Sequence, residues 1–91
     1  PLQIGPGRYT AGVYRIERQG VPFFLIDSNE FFNRDGGLYG DWQGDYWDNS
    51  TRFAALCHAG LGVARRLFRP QIFHCHDWQT GLLPAYLQNY F

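Results

Sequence analysis

Pro70-Gln71-Ile72-Phe73-His74-Cys75-His76-Asp77-Trp78-Gln79-Thr80 joins a helix stop, a short apolar run and a dense polar cluster. Residues 71–75 read as a buried strand, since a short apolar run between turn formers fits a strand covered on both faces. Gly81-Leu82-Leu83-Pro84-Ala85-Tyr86-Leu87 follows as a helix-like segment. If that helix starts near Asp77 or Trp78, Pro84 falls in its second turn and should kink it or mark a 3₁₀ start. The cluster then sits at the carboxyl end of a strand, where open α/β sheets bind their ligands.

Upstream of Pro70 the pattern is helical. Phe53, Leu56, Gly60, Val63 and Leu67 recur at i, i+3, i+7, i+10 and i+14, which predicts one buried face. Asp48, Asn49 or Ser50 can cap its start by accepting the orphan amide hydrogens of the first turn. Ala54, Ala55, Ala59 and Ala64 favour the helix and allow close approach, and Gly60 and Gly62 predict tight packing against a sheet. Arg65, Arg66 and Arg69 read as dipole partners or a solvated face near the helix end.

Residues 1–7 read as loop and residues 8–18 as a half-exposed strand. Gln19-Gly20 is a turn signal. Val21-Pro22-Phe23-Phe24-Leu25-Ile26-Asp27 is unbroken and apolar, which predicts a second strand buried on both faces, with Pro22 near its start. Asp27-Ser28-Asn29-Glu30 ends it as a turn. Residues 31–49 read as a long aromatic loop, and such loops in compact domains are usually functional. The order strand, strand, loop, helix, strand, helix predicts an α/β fold containing a βαβ unit in an incomplete parallel sheet.

The chain has 91 residues, no net formal charge and only two cysteines. Its length sets one domain at most. Charge balance gives no case for nucleic acid or an anionic membrane. No apolar run approaches the ~20 residues needed to span a bilayer. Cys57 and Cys75 fit no Cys-x-x-Cys motif and read as free thiols in a reducing cytosol. The start at Pro1 and the stop after a helical pattern predict a piece of a longer protein.

His74 and His76, two apart on a strand, face the same way. They suit hydrogen bonding to a polar substrate, satisfaction by backbone carbonyls, or a metal with Asp77 as an oxygen ligand, though a structural zinc needs more ligands. Cys75 points to the opposite face, which removes it from a Cys–His nucleophile pair. Asp77 can cap the following helix, accept from a sugar hydroxyl or orient His76. Trp78 reads as core filling the strand–helix junction rather than as a stacking platform. Residues 31–49 interleave rings with Asp and Gly. Asp35-Gly36-Gly37-Leu38 fails the calcium-loop spacing. Rings beside carboxylates suit a carbohydrate, and a loop pinned by its own aromatics is the other reading.

Four stretches in series resemble glycogen and starch synthases: Val21-Pro22-Phe23-Phe24-Leu25-Ile26-Asp27; Phe32-Asn33-Arg34-Asp35-Gly36-Gly37-Leu38-Tyr39-Gly40; Asp48-Asn49-Ser50-Thr51-Arg52-Phe53; and His74 through Leu87. The resemblance implies a two-domain fold of facing Rossmann-like halves (GT-B type), with residues 1–91 inside the N-terminal, acceptor-side half. It implies glucose transfer from ADP-glucose, in some members UDP-glucose, to the non-reducing end of an α-1,4-glucan, with retention and no catalytic metal or other cofactor. It implies a cytoplasmic protein, or a plastid one in a plant. It assigns an active-site role to Asp77 with His76 beside it, and makes Tyr39, Asp41, Asp48, Asn49, Trp78 and Gln79 cleft or glucan-side candidates. The family's Lys-x-Gly-Gly phosphate loop would precede Pro1, and its nucleotide-sugar domain would follow Phe91. The chain has no lysine, so the resemblance implies that it is inactive alone. A non-enzymatic glucan-binding module and a transferase of the sucrose-synthase kind are the competing readings.

Overall fold

The computed structural model describes residues 2–4 and 7–90. Strands β1 (Leu2–Ile4) and β2 (Gly7–Tyr9) pair antiparallel. The expected loop over residues 1–7 is thus corrected to include a strand; Pro1, Gly5 and Pro6 lie outside the described residues. The expected strand over residues 8–18 divides at Thr10-Ala11, and β3 runs Gly12–Arg18. It turns through Gln19-Gly20 into β4 (Val21–Asp27), with Arg18 facing Val21. Both turn residues have positive φ, 53° and 80°, as a two-residue I′ hairpin requires.

That hairpin corrects the doubly buried strand. β4 alternates along its length: Pro22, Phe24 and Ile26 are half-buried, while Val21, Phe23, Leu25 and Asp27 are exposed. The half-buried face lies on the helix end, where Phe24 meets Phe68 edge-on at 6.4 Å. Tyr14 opposite Leu25 and Ile16 opposite Phe23 lie open to water. An unbroken apolar run reports hydrophobicity and not what covers each face.

Residues 29–32 form one helical turn, α1 (Asn29–Phe32), where a plain turn was expected. A minimal hairpin follows within the long loop, β5 (Gly40–Asp41) against β6 (Gly44–Asp45).

The core is one helix, α2 (Asn49–Val63), prolonged by a π-helical turn at Ala64–Phe68. Arg69, in the left-handed region at φ 56°, donates its backbone N–H to Ala64 O at 2.7 Å and ends it before Pro70. Arg65, Arg66 and Arg69 are exposed there, as expected of a solvated helix end. The buried residues of α2 are Arg52, Phe53, Ala54, Ala55, Cys57, Ala59 and Leu61, not the predicted stripe; Leu67 is exposed. The reason is that α2 is wrapped from several sides, by α1, by β1 and β4, and by the C-terminal segment. Its alanines admit those neighbours. Gly60 and Gly62 are not tight contacts: a Cβ on Gly60 would meet only Leu83 at 3.8 Å, and one on Gly62 would meet nothing within 4 Å.

Residues 71–77 are a second correction. No ladder forms there, and the described strands make three two-stranded antiparallel sheets with no parallel pair or βαβ unit. A strand needs a partner's backbone groups, and apolar content does not name the partner. The period-two exposure survives, with Phe73 and Cys75 half-buried while Ile72, His74 and His76 are exposed. A 3₁₀ turn (Trp78–Thr80) leads to α3 (Leu83–Tyr90). Pro84 therefore sits in the first turn of α3, where its missing N–H costs nothing. The 3₁₀ start expected near it lies six residues earlier, at Trp78.

Candidate active site

Asp48 precedes α2, yet its carboxylate caps nothing. Both oxygens accept from Arg34, at 2.6 Å from Nη2 and 3.1 Å from Nη1. A bidentate charged pair outcompetes a single cap bond, which corrects the capping expectation at Asp48. The Arg34 bond holds the Asp48 carboxyl below its ordinary value of 3.8, against the opposing effect of burial. A lowered carboxylate stabilises the fold at pH above 3.8 and loses that contribution as pH falls through the lowered value. Asp48→Asn is therefore expected to cost about 2 kcal/mol at neutral pH. In an acid titration followed by circular dichroism, the gap between variant and wild type should close only below pH 3.8.

Asn49 does not cap either. Its Nδ2 donates to Tyr39 O at 2.8 Å, and its Oδ1 accepts from Arg52 Nη1 at 2.7 Å. Arg52 is 3% exposed. Its Nε donates to Phe31 O at 2.6 Å and its Nη1 to Leu38 O at 3.1 Å. The same guanidinium lies 4.8 Å from the Tyr46 ring centroid and 5.3 Å from that of Phe53. One buried arginine thus staples residues 31–49 to the start of α2.

The staple fixes Tyr39. Its ring packs on Phe53 at 6.0 Å and on Trp78 at 5.8 Å, and its hydroxyl accepts from Gln79 Nε2. Trp78 meets Phe53 edge-on at 5.1 Å but stays 62% exposed, so it is a half-open platform rather than the expected core residue. Cys57 seals the underside: its buried thiol donates to Gln79 O at 3.5 Å, and burial pushes its pKa up. Both cysteines are free, and Cys75 alternates with the histidines as expected.

Asp77 lies at φ 61°, ψ −176°, a region essentially reserved for glycine. Its side chain is exposed and caps nothing. Thr80 Oγ1 clamps the strained peptide by donating to His76 O at 2.8 Å and Asp77 O at 3.3 Å. His74 and His76 stack at 4.3 Å on one side, as their spacing predicts.

The structure therefore brings Tyr39, Asn49, Trp78 and Gln79 into one connected cluster, with Asp48 tied in through Arg34 and the same loop. Asp77 directly precedes Trp78 of that cluster in the chain. Asp41 does not join it: its Oδ1 accepts from Gln43 N at 2.9 Å within the β5–β6 turn. His76 pairs with His74 instead. Among the described residues no three His, Cys, Asp or Glu side chains converge as a metal site would require. The sequence reading missed Arg34, Arg52 and Phe53 as builders of the site. Arg52 left a signal, an arginine sharing the i, i+3, i+7 face of Ala55 and Ala59.

An α/β unit presenting an exposed carboxylate beside an aromatic platform is consistent with part of a glycosyltransferase domain. The family model described as the starch synthase catalytic domain matches residues 1–91. Glycogen synthase 2 of Geobacter sulfurreducens is 51% identical over 69 residues, covering 75% of this chain and 14% of that protein. The glycogen synthase of Cereibacter sphaeroides is 43% identical over 94% of the chain and 18% of its own length. That of Exiguobacterium sibiricum is 37% identical over 99% of the chain and 18% of its own length. The chain belongs to the starch synthase catalytic domain family. It spans between 14% and 18% of the length of these curated relatives. Among the described residues no helix is long and apolar enough to cross a membrane.

Proposed function

We propose that the full-length protein carrying this chain transfers glucose from ADP-glucose, or alternatively UDP-glucose, to the non-reducing end of an α-1,4-glucan with retention, in the cytoplasm. Residues 1–91 contribute to the acceptor-side, Rossmann-like half of a two-domain GT-B enzyme. The observation that carries this is the presentation of Asp77, exposed on a glycine-only backbone beside the Tyr39–Trp78 platform, within a starch synthase family chain. The carboxylate accepts from sugar hydroxyls, His76 stands next to it, and the rings of Tyr39 and Trp78 cover a sugar's C–H face.

The test is incorporation of radiolabelled glucose into glycogen. The full-length protein is expected to incorporate from ADP-glucose, with UDP-glucose as the parallel donor, while the isolated 91-residue chain incorporates none. Turnover by the isolated chain would overturn the assignment of the donor site to another part of the protein. Glycogen retention without transfer from any nucleotide-glucose would support the binding-module reading, and transfer to a free sugar alone the sucrose-synthase one.

A further inference from the structure

Neither cysteine takes part in the chemistry proposed above, yet both face the same stretch of the fold. Residues 73–79 run along α2 from one end of that stretch to the other. At the first end Phe73 lines two grooves together with Gly60 and Leu61 of α2 and Ala64 just beyond it. At the second, Gln79 O accepts from Cys57 Sγ at 3.5 Å. Cys75 lies between them, half-buried on the side of Phe73, while His74 and His76 are exposed on the other. Two residues of extended chain advance about 6.7 Å, and four residues of helix about 6 Å. The step from Phe73 to Cys75 therefore matches the step from Leu61 back to Cys57. Burial first, and then the neighbouring Cys75 thiol, push the Cys57 pKa up.

We propose that Cys57 and Cys75 are a redox modification site, closed to a disulfide by hydrogen peroxide and reopened by a dithiol. The linkage rests on the packing of residues 73–79 against α2. Its effect on acceptor binding rests on the glucan reading above.

Burial divides the roles. Cys57 is 1% exposed, whereas Cys75 is half-buried and within reach of a small oxidant. The Cys75 thiolate sulfur attacks one peroxide oxygen, the O–O bond breaks, and the departing hydroxide is protonated to water. Cys75 is then a sulfenic acid. The Cys57 sulfur bonds to the Cys75 sulfur, the S–O bond breaks, and the hydroxide leaves with the Cys57 proton as a second water. Two thiols have lost two electrons, and one peroxide has been reduced to two waters. A dithiol reverses the step by exchange and is itself oxidised to a disulfide. The bond requires Cα atoms about 4.4–6.8 Å apart. Gly60, beside Phe73 and one turn along from Cys57, has no side chain to hold the segment away.

Closing the bond removes the proton that Gln79 O accepts from Cys57. Gln79 Nε2 donates to the Tyr39 hydroxyl, so the residue that loses its anchor is the one that orients the Tyr39–Trp78 platform. Oxidation therefore weakens acceptor binding more than it slows transfer.

The experiment is disulfide mapping of the full-length protein by mass spectrometry, after hydrogen peroxide and again after dithiothreitol, with glycogen kinetics on the same samples. Trypsin cuts at Arg65 and Arg66, which separates the two cysteines. The expected product is a linked pair of peptides, one carrying Cys57 and the other Cys75, lighter by two hydrogens than the two apart. The KM for glycogen should rise about threefold with little change in kcat, and dithiothreitol should reverse both linkage and KM. Cys75→Ala should keep the wild-type KM before and after peroxide. In Cys57→Ala, a mild change in an alanine-rich helix, Cys75 should stop at a sulfenic acid that dimedone traps. Peroxide that leaves Cys57 unlinked in the wild type, or that joins Cys75 to a different cysteine, would overturn the site. So would a linked pair with unchanged KM, or a peroxide-raised KM in Cys75→Ala. Absence of glucose incorporation by the reduced wild type would sink the glucan reading instead, and the linked peptides would still decide the site.

Discussion

Asp77→Gly in the full-length protein is expected to melt higher than wild type while turning over at least ~100-fold more slowly. The two effects have separate origins. At φ 61° and ψ −176° the backbone of a non-glycine residue carries on the order of 1–3 kcal/mol of strain. Glycine adopts that conformation freely, and its extra freedom in the unfolded chain returns only about 0.4–1 kcal/mol. A net gain of about 1 kcal/mol is the expected balance. Among the described residues the carboxylate makes no cap bond and is exposed, so its removal adds little cost. Asp77→Ala keeps the strain and loses the carboxylate, and should be as inactive without the gain in stability. Thermal melts and initial rates on wild type and both variants decide it. Loss of stability in the glycine variant would make Asp77 a structural residue. Normal rates would remove its carboxylate from the reaction.

Arg52→Met is expected to cost about 3 kcal/mol of stability. Methionine keeps the apolar stem, so the loss reports the guanidinium itself. Without it the carbonyls of Phe31 and Leu38 and the amide oxygen of Asn49 each lose a charged donor. All three belong to the segment that holds Tyr39. The variant should therefore also raise the KM for glucan more than it lowers kcat. Urea denaturation followed at the aromatic near-ultraviolet band gives the first number. A loss below about 1 kcal/mol would show that the loop is held by its rings alone.

Much of this was legible in the sequence, for reasons that differ by residue. Gln19-Gly20 announced its turn, because glycine accepts the positive φ a tight turn demands; that the turn closes a hairpin was not legible there. The extent of α2 followed from the polar run at residues 48–50, its alanines and Pro70. The facing of His74 and His76, and the divergence of Cys75, followed from the two-residue period of extended chain. The failures share one cause, which is that pairing is non-local. Residues 71–75 have the composition of a strand, but composition does not supply a neighbour. Asp48 has the residue type of a cap, but Arg34, fourteen residues away, makes the better offer. Trp78 reads as core because indoles usually are, whereas it packs on the rings of Tyr39 and Phe53 and stays 62% exposed. The strain at Asp77 was beyond sequence reading, since residue type sets which φ is easy and not which is imposed.

During synthesis, at about 5–20 residues per second, the β3–β4 hairpin can close on local contacts before α2 has emerged. Its register is set by the Gln19-Gly20 turn alone. From that moment Tyr14, Ile16, Phe23 and Leu25 form an apolar ribbon facing water. Paired strands with an open apolar face and free edges are what aggregation recruits and what holdase chaperones shield. The best-specified local element of this chain is thus also its greatest liability on the ribosome, and the yield of soluble protein should respond to the polarity of that ribbon before it responds to anything at the Asp77 site.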